Sequence, residues 1–253
     1  MKYIKKFYQP VFFAFLLILI GTISAKAQVA MPNVNISFGS ANSPQDFSKG
    51  LQILVLLTIL TLAPSILIMS TAFTRIVIVL SLVKTAMGTP SLPPNQVIVG
   101  LALILTFFVM TPTINEINTK AFQPYMSNKI TQQAALTRGV EPLRQFMFRQ
   151  TDENELALFI RMAKIKNPKT TAEVPTYILL PSFIMSELKT AFTIGFMIFI
   201  PFLIIDIVVS SILVSMGMLF LPPTTIAMPF KIILFVLIDG WHLVAKSLVS
   251  GFN

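Results

Sequence analysis

Residues Thr190–Phe230, TAFTIGFMIFIPFLIIDIVVSSILVSMGMLFLPPTTIAMPF, hold one charge, Asp206, in 41 positions. A helix needs about 20 apolar residues to cross bilayer hydrocarbon, so this stretch is one long broken helix or two shorter ones. Proline removes a helix donor and glycine admits a turn, which makes Pro201, Gly217 and Pro222-Pro223 the candidate breaks. Working outward, Ile226–Val249 is a further apolar stretch, interrupted by Lys231, Asp239, His242 and Lys246. Towards the N-terminus, Val97–Met110 is apolar and bounded by Pro112, and Leu51–Thr74 has no charge over 24 residues. Residues Arg75–Met87 read as a helix that Gly88-Thr89-Pro90 and Pro93-Pro94 end. A polar insert, Thr113–Pro175, carries nine basic and six acidic residues. The pattern predicts an all-α, multi-helix membrane protein, with broken hydrophobic helical hairpins around a polar helical insert.

Composition agrees with that class. Of 253 residues, 55% are hydrophobic and 11% charged, and the mean hydropathy is +0.79. A soluble chain has about 25% charged residues. Cysteine is absent and His242 is the one histidine, which removes disulfides, thiolate metal sites and multi-histidine centres. The net charge is +9, but Lys2, Lys5, Lys6 and Lys26 belong to the first 27 residues. Basic residues commonly flank membrane segments, so the remainder needs no nucleic-acid partner.

The N-terminus reads as an address. Lys2, Lys5 and Lys6 precede an apolar stretch, Val11–Ile20, and then Ala25-Lys26-Ala27, the three regions of a secretory signal peptide cleaved after Ala27, the alternative being an uncleaved first anchor. The expected organisation is a signal peptide at 1–27, a flexible leader at 28–50 and N-terminal hydrophobic helices at 51–112. A polar helical insert at 113–180 and a C-terminal hydrophobic hairpin at 181–253 complete it. Arg75 and Lys84 read as a short acid-free loop, which the positive-inside rule puts in the cytoplasm, so that the mature N-terminus and the insert fall on the periplasmic side.

Ionisable groups at membrane depth are costly and normally face a partner, a bundle interior or a water path. Asp206 is the clearest, as a pore, proton-path or subunit-contact residue or as a carboxylate satisfied by a neighbouring helix. Asp239 is spaced for a local ion pair with His242 or Lys246. Lys231 can snorkel from a helix start just after Pro229. Glu187 and Lys189 follow Ser186 as an ordinary first helical turn, with Ser186 as cap and an interfacial lysine, or else contribute to a subunit contact. Met216, Met218 and Met228 gather around Gly217 and Pro222-Pro223, where flexible side chains can fill a core or seal an irregular opening.

No phosphate loop, dinucleotide fingerprint, nucleophile elbow or zinc-protease motif occurs, so no cofactor is implied. Asp152, Glu153 and Glu155 could form a hydrolase-like carboxylate pair, but ahead of Leu156-Ala-Leu-Phe159 they read as the acidic first turn of an amphipathic helix.

Beyond this point the sequence resembles the FliP family of flagellar export-gate proteins, core membrane components of type III secretion. The stretches that carry it are Thr71-Ala-Phe-Thr-Arg75-Ile-Val-Ile-Val-Leu-Ser-Leu-Val-Lys84-Thr, Pro93-Pro-Asn-Gln96-Val and Leu103-Ile-Leu-Thr-Phe-Phe108. They continue with Phe146-Met-Phe-Arg149-Gln-Thr151, Ser186-Glu-Leu-Lys-Thr-Ala-Phe192, Ile200-Pro-Phe-Leu-Ile-Ile-Asp206 and Pro229-Phe-Lys231 through Asp239-Gly-Trp241.

The resemblance implies a non-enzymatic, pore-forming subunit in the bacterial inner membrane, within the flagellar basal body. Several copies, usually taken as five, would join FliQ, FliR and other export-gate and basal-body proteins in a helical ring that exported unfolded flagellar proteins thread. Much of the apolar surface would then face sister subunits as well as membrane lipid. The family's methionine-rich constriction corresponds to Met218, Leu219 and Phe220, the last two standing where methionine is common. Glu187, Lys189, Asp206, Lys231 and Asp239 are the charged residues expected at subunit contacts or within the membrane. Asp152 stands where the family commonly has an arginine, which implies the loss of a salt bridge to Glu187. A virulence-type export component is the neighbouring alternative, although its members generally lack the secretion signal. A secondary transporter would show an internal duplication, and none is evident.

Overall fold

A computed structural model describes residues 44–252 apart from 90, 167, 169 and 219, with side chains from residue 50 onward. The predicted signal peptide, its cleavage after Ala27 and the leader up to residue 43 lie outside the described residues. Two compact units divide the chain, Met1–Val55 and Leu56–Asn253. Helix α1 (Pro44–Met69) opens in the first, so residues 44–50 are helical where a flexible leader was expected.

Among the described residues the second unit is built from helices and their connections. After α1 come α2 (Phe73–Ala86), α3 (Asn95–Ile117), a π-helical turn (Asn118–Phe122) and α4 (Gln123–Met126). Then follow α5 (Gln132–Gln150), α6 (Glu153–Met162), a 3-10 turn (Thr171–Glu173), α7 (Thr176–Ser215), α8 (Pro223–Leu237) and α9 (Gly240–Ser250). Gly50–Met69, Asn95–Met126 and Thr176–Ser215 are long and apolar enough to cross a membrane, and α8 with α9 makes a fourth candidate bent by 63°.

The centre of the unit is α2 against α7. Ile76, Val79, Leu80, Val83 and Ala86 recur at helical spacing and are all buried, a stripe that needs a partner. Arg75 meets Glu187, and Leu82 lies over Gly195, so contacts advance along both helices together and the two run in the same direction. A Cβ on Gly195 would come within 2.2 Å of Leu82 Cδ1. Hydrogen there is what lets the helices approach so closely. Phe146 of α5 packs edge-on to Phe183 of α7 at 6.0 Å. On the other side, α7 and α8 form an antiparallel hairpin, with Phe202 against Phe235 at 6.2 Å and Asp206 against Lys231.

The predicted proline breaks are only partly present. Pro112 lies inside α3, and the helical path continues through the π turn to Met126. Pro181 and Pro201 lie inside the 40-residue α7, while Pro229 lies inside α8, which starts at Pro223. Neighbouring helices and hydroxyl side chains can support such interruptions in apolar helices. The break comes at Gly217, with φ of +74°, where Gly217 N–H donates to Val214 and Met218 N–H to Leu213. Those paired bonds are the Schellman ending, which favours glycine because the left-handed region penalises a Cβ.

Candidate functional site

The loop between α7 and α8 carries the expected constriction residues. Leu219 lies outside the described residues. Phe220 is fully exposed and Met218 is 39% exposed, so its own chain leaves the aromatic ring bare and covers the methionine only in part. The neighbouring Met216 and Leu221 are also exposed. The flanking turns explain the presentation: the Schellman ending turns the backbone off α7, and Pro222-Pro223 opens α8 with a proline at its first position, where no amide is needed.

A second group lies where α2, α5, α7 and the chain's C-terminal end meet. Arg75 Nε donates to Glu187 Oε2 at 2.9 Å, and Nη2 donates to Glu187 Oε1. Arg75 Nη2 also reaches Gln150 Oε1 at 2.9 Å, and Nη1 reaches the Gly251 carbonyl at 3.1 Å. Its guanidinium lies 3.9 Å above the centre of the Phe252 ring. The Glu187 side chain has no exposed surface and that of Arg75 has 5%. A buried charge requires such a partner, and the planar guanidinium fork matches a carboxylate with two parallel bonds.

This arrangement bears on three expectations. Arg75 and Lys84 are not loop cations: both are buried on α2, and Lys84 Nζ donates to Asn95 Oδ1 at 2.8 Å. The positive-inside argument therefore loses its loop. Asp152 does not leave Glu187 unpaired, because Arg75 from the distant α2 supplies the cation. Ser186 is no cap, because α7 starts at Thr176; its hydroxyl donates to the Ser182 carbonyl at 2.9 Å and accepts from Asp152 N–H at 2.9 Å.

Lys189 is half exposed and has carboxylate partners on α6 and its cap. It donates to Asp152 Oδ2 at 2.8 Å and lies 3.7 Å from Glu155. Asp152 caps α6 by accepting from Asn154 N–H at 2.8 Å, and Glu153 and Glu155 fill the first turn as the helix reading expected. The hydrogen bond from Lys189, followed by that from Asn154, holds the Asp152 carboxyl below the usual carboxylate range. A cleft of about 440 Å³ opens over this group, with Arg75, Arg149, Asp152, Ser186 and Lys189 in its walls.

Asp206 and Lys231 form a third group, with Lys231 Nζ 2.6 Å from Asp206 Oδ2. The expected snorkelling is overturned, because Lys231 is buried and points at α7. The other carboxylate oxygen, Asp206 Oδ1, is buried and has no hydrogen-bond partner among the described residues. Asp239 is exposed, with a left-handed φ of 51°, and it belongs to the turn between α8 and α9. Among the described residues it makes no ion pair, so the local pair expected with His242 or Lys246 does not form.

The structure thus brings Glu187 and Lys189 into one network, pairs Asp206 with Lys231, and places Met218 and Phe220 on one loop. Sequence reasoning missed Arg75, Gln150 and Phe252 as members of the Glu187 network. Their only signal was the cost of an unpaired charge in an apolar setting, which demands a partner without naming it.

Comparison with known proteins follows the same stretch of chain. A profile described as FliP family matches residues 56–248. The chain is 54% identical over 220 residues to the flagellar biosynthetic protein FliP of Bacillus subtilis (strain 168), covering 87% of this chain and 100% of the relative. Identity is also 54% over 211 residues to the protein of that name from Pectobacterium carotovorum subsp. carotovorum, covering 83% and 82%. The Aquifex aeolicus (strain VF5) protein of that name is 47% identical over 225 residues, covering 88% and 92%. The chain belongs to the FliP family.

Proposed function

We propose that this chain is a structural, pore-forming subunit of the flagellar type III protein export gate in the bacterial inner membrane. Several copies, taken as five, surround an axis with FliQ and FliR, and unfolded flagellar proteins pass through it. The reading is supported by the relatives' shared name, flagellar biosynthetic protein, and by the helices long and apolar enough to cross a membrane.

The observation that carries it is the loop that offers Phe220 bare beside the partly exposed Met218, between the 40-residue α7 and the 15-residue α8. An aromatic side chain buries about 150 to 250 Å² when covered, so leaving one bare is a standing drive towards contact with another apolar surface. Around a shared axis the same loop of each copy supplies that surface. Closure is then a matter of packed side chains, and opening requires their displacement. Methionine accommodates changing shapes, whereas Phe220 contributes bulk.

Cells carrying Met218→Ala with Phe220→Ala, assembled with the other gate proteins, are expected to leak small ions while export is idle. Conductance equal to that of the unaltered protein in a normally assembled particle would rule out the apolar seal.

A further inference from the structure

The geometry points to a binding site for an anionic phospholipid where α2 hands over to α3: the phosphate sits against Lys84 and Asn95, and an acyl chain fills the apolar groove beside them. The site rests on a membrane location alone and is independent of the export gate.

Three cations are buried among the described residues, and two of them have a carboxylate: Arg75 has Glu187 and Lys231 has Asp206. Lys84 has none. It stands in the last turn of α2 and is 9% exposed, and its ammonium reaches across to the next helix, donating to Asn95 Oδ1 at 2.8 Å. A neutral amide takes one of three donors and answers no charge. A buried cation of this kind calls for an anion, and the described residues of the chain do not supply it.

The place where the ammonium arrives adds positive potential of its own. Asn95 is the first residue of the 23-residue α3, which has no side-chain cap and no acid in its first turn. The N–H groups of Val97 and Ile98 donate to the Pro94 carbonyl, which leaves those of Asn95 and Gln96 at the uncapped end. A helix start is the positive end of its dipole, so cation and helix end favour the same ligand charge.

An apolar groove of about 520 Å³ adjoins this point. Met87, one turn on from Lys84, and Ile98, one turn on from Asn95, both line it, so the charged end runs into the groove along both helices. Leu92, Val97, Ile232 and Trp241 also line it, and the Thr89 hydroxyl and the Trp241 indole are its only polar side-chain groups. The Thr89 hydroxyl already donates to the Lys84 carbonyl at 3.4 Å. Leu92 and Val97 are exposed, so the groove is open along its side.

The order of these features selects the occupant. Asn95–Met126 is long and apolar enough to cross a membrane, and in a crossing helix Asn95 stands at the edge of the hydrocarbon, the level of the lipid phosphates. Tryptophan favours that same level. A phospholipid presents its negative group there and its apolar chain one turn further in, as Lys84 and the groove require. Basic pockets between membrane helices take anionic head groups in this way.

Trp241 is the one tryptophan in the chain, so its fluorescence reports the groove directly. The full chain is reconstituted in phosphatidylcholine vesicles that carry a few per cent of either phosphatidylglycerol or phosphatidylcholine with brominated acyl chains. Brominated phosphatidylglycerol is expected to quench at least twice as strongly. Lys84→Gln should make the two lipids equal, and Lys84→Arg should keep the preference. Asn95→Asp should also abolish it, by setting a carboxylate against Lys84 in place of the phosphate, and because Asn95 is exposed the core is untouched. Lys129→Gln, which removes an exposed cation elsewhere, should change nothing. Equal quenching in the parent chain, or a preference that survives Asn95→Asp, overturns the site. Absence of quenching by either lipid means that protein covers the groove, and overturns it as well. Reversal by inorganic phosphate at constant ionic strength assigns the cation to a free anion and removes the lipid. None of these results alters the leak expected of the Met218/Phe220 variant, so the two readings fail separately.

Discussion

Arg75 and Glu187 sit 112 positions apart in sequence, yet each exists in the interior only because of the other. Taking an isolated charge out of water costs several kcal/mol, and removing one member of a buried pair strands the remaining one, typically at about 3–5 kcal/mol. Glu187→Ala should therefore destabilise the unit by ~3–5 kcal/mol. Arg75 would retain Gln150, the Gly251 carbonyl and the Phe252 ring, none of which bears a negative charge. The double replacement Arg75→Met with Glu187→Leu should recover part of the loss, because it removes both buried charges at once, while Gln150 Oε1 and the Gly251 carbonyl lose the donor that Arg75 supplied. Thermal unfolding of the detergent-extracted chain would measure both. If the double variant were as unstable as the single one, the ion pair would not be the source of the defect. Of the costly residues Asp206 was legible, as the one charge in a 41-residue apolar run, whereas Glu187 reads locally as part of a first helical turn and Lys231 as a snorkelling cation. The partners were not legible, because pairing across 112 residues or across the α7–α8 hairpin depends on which helix faces which.

The same division between local and non-local information runs through the helices. The Gly217 turn and the acidic first turn of α6 are local matters of backbone freedom and capping, and both were readable from a few residues. Pro112 and Pro201 misled because a proline's missing donor and ring clash weigh against a helix of its own, whereas a long apolar helix with neighbours on one side continues through them. The hydroxyls of α7 show how an apolar helix remains self-sufficient. Ser182 donates to the Ile178 carbonyl at 2.7 Å, and Ser211 and Ser215 donate to carbonyls one turn back. Gly195 is a different kind of requirement, since it is set by the approach of α2 and not by its own backbone. Gly195→Ala would put a methyl group 2.2 Å from Leu82 Cδ1, with Leu82 Cβ and Cγ at 3.2 Å, so α2 and α7 must separate or Leu82 must leave its rotamer. Overpacking of this kind costs about 1–3 kcal/mol. The expected result is reduced thermal stability for Gly195→Ala and substantial recovery when Leu82→Ala is added. A Gly195→Ala chain as stable as the parent would mean that the α2–α7 contact is looser than described.

At the scale of the whole molecule, the length of α7 is what a single chain in a bilayer does not account for. Forty residues at about 1.5 Å each make a helix of roughly 60 Å, whereas the hydrocarbon layer is about 30 Å thick. Tilting shortens the projection but does not halve it at the tilts helices commonly show. Exposed apolar side chains nevertheless continue along the helix, from Tyr177 and Met185 through Phe192, Phe196 and Ile207 to Val214. Lipid tails can cover only part of that band, and water is a poor solvent for the rest, so under the proposed assembly another protein surface covers it. This separates two outcomes experimentally. Met185 and Val214 are roughly 44 Å apart along the axis at about 1.5 Å per residue, too far for both to lie in the hydrocarbon of an upright helix. Were lipid the only cover, a glutamate would disturb membrane insertion at one position at most and be harmless wherever it meets water, because an exposed carboxylate there costs nothing. With sister or partner subunits along the helix, Met185→Glu and Val214→Glu should each reduce recovery of the assembled particle several-fold when the chain is produced with its gate partners, while the monomer still reaches the membrane. Sedimentation of detergent-extracted particles reads this directly. Normal assembly of either variant would remove that end of α7 from the subunit interface and confine the contact to the remainder of the band.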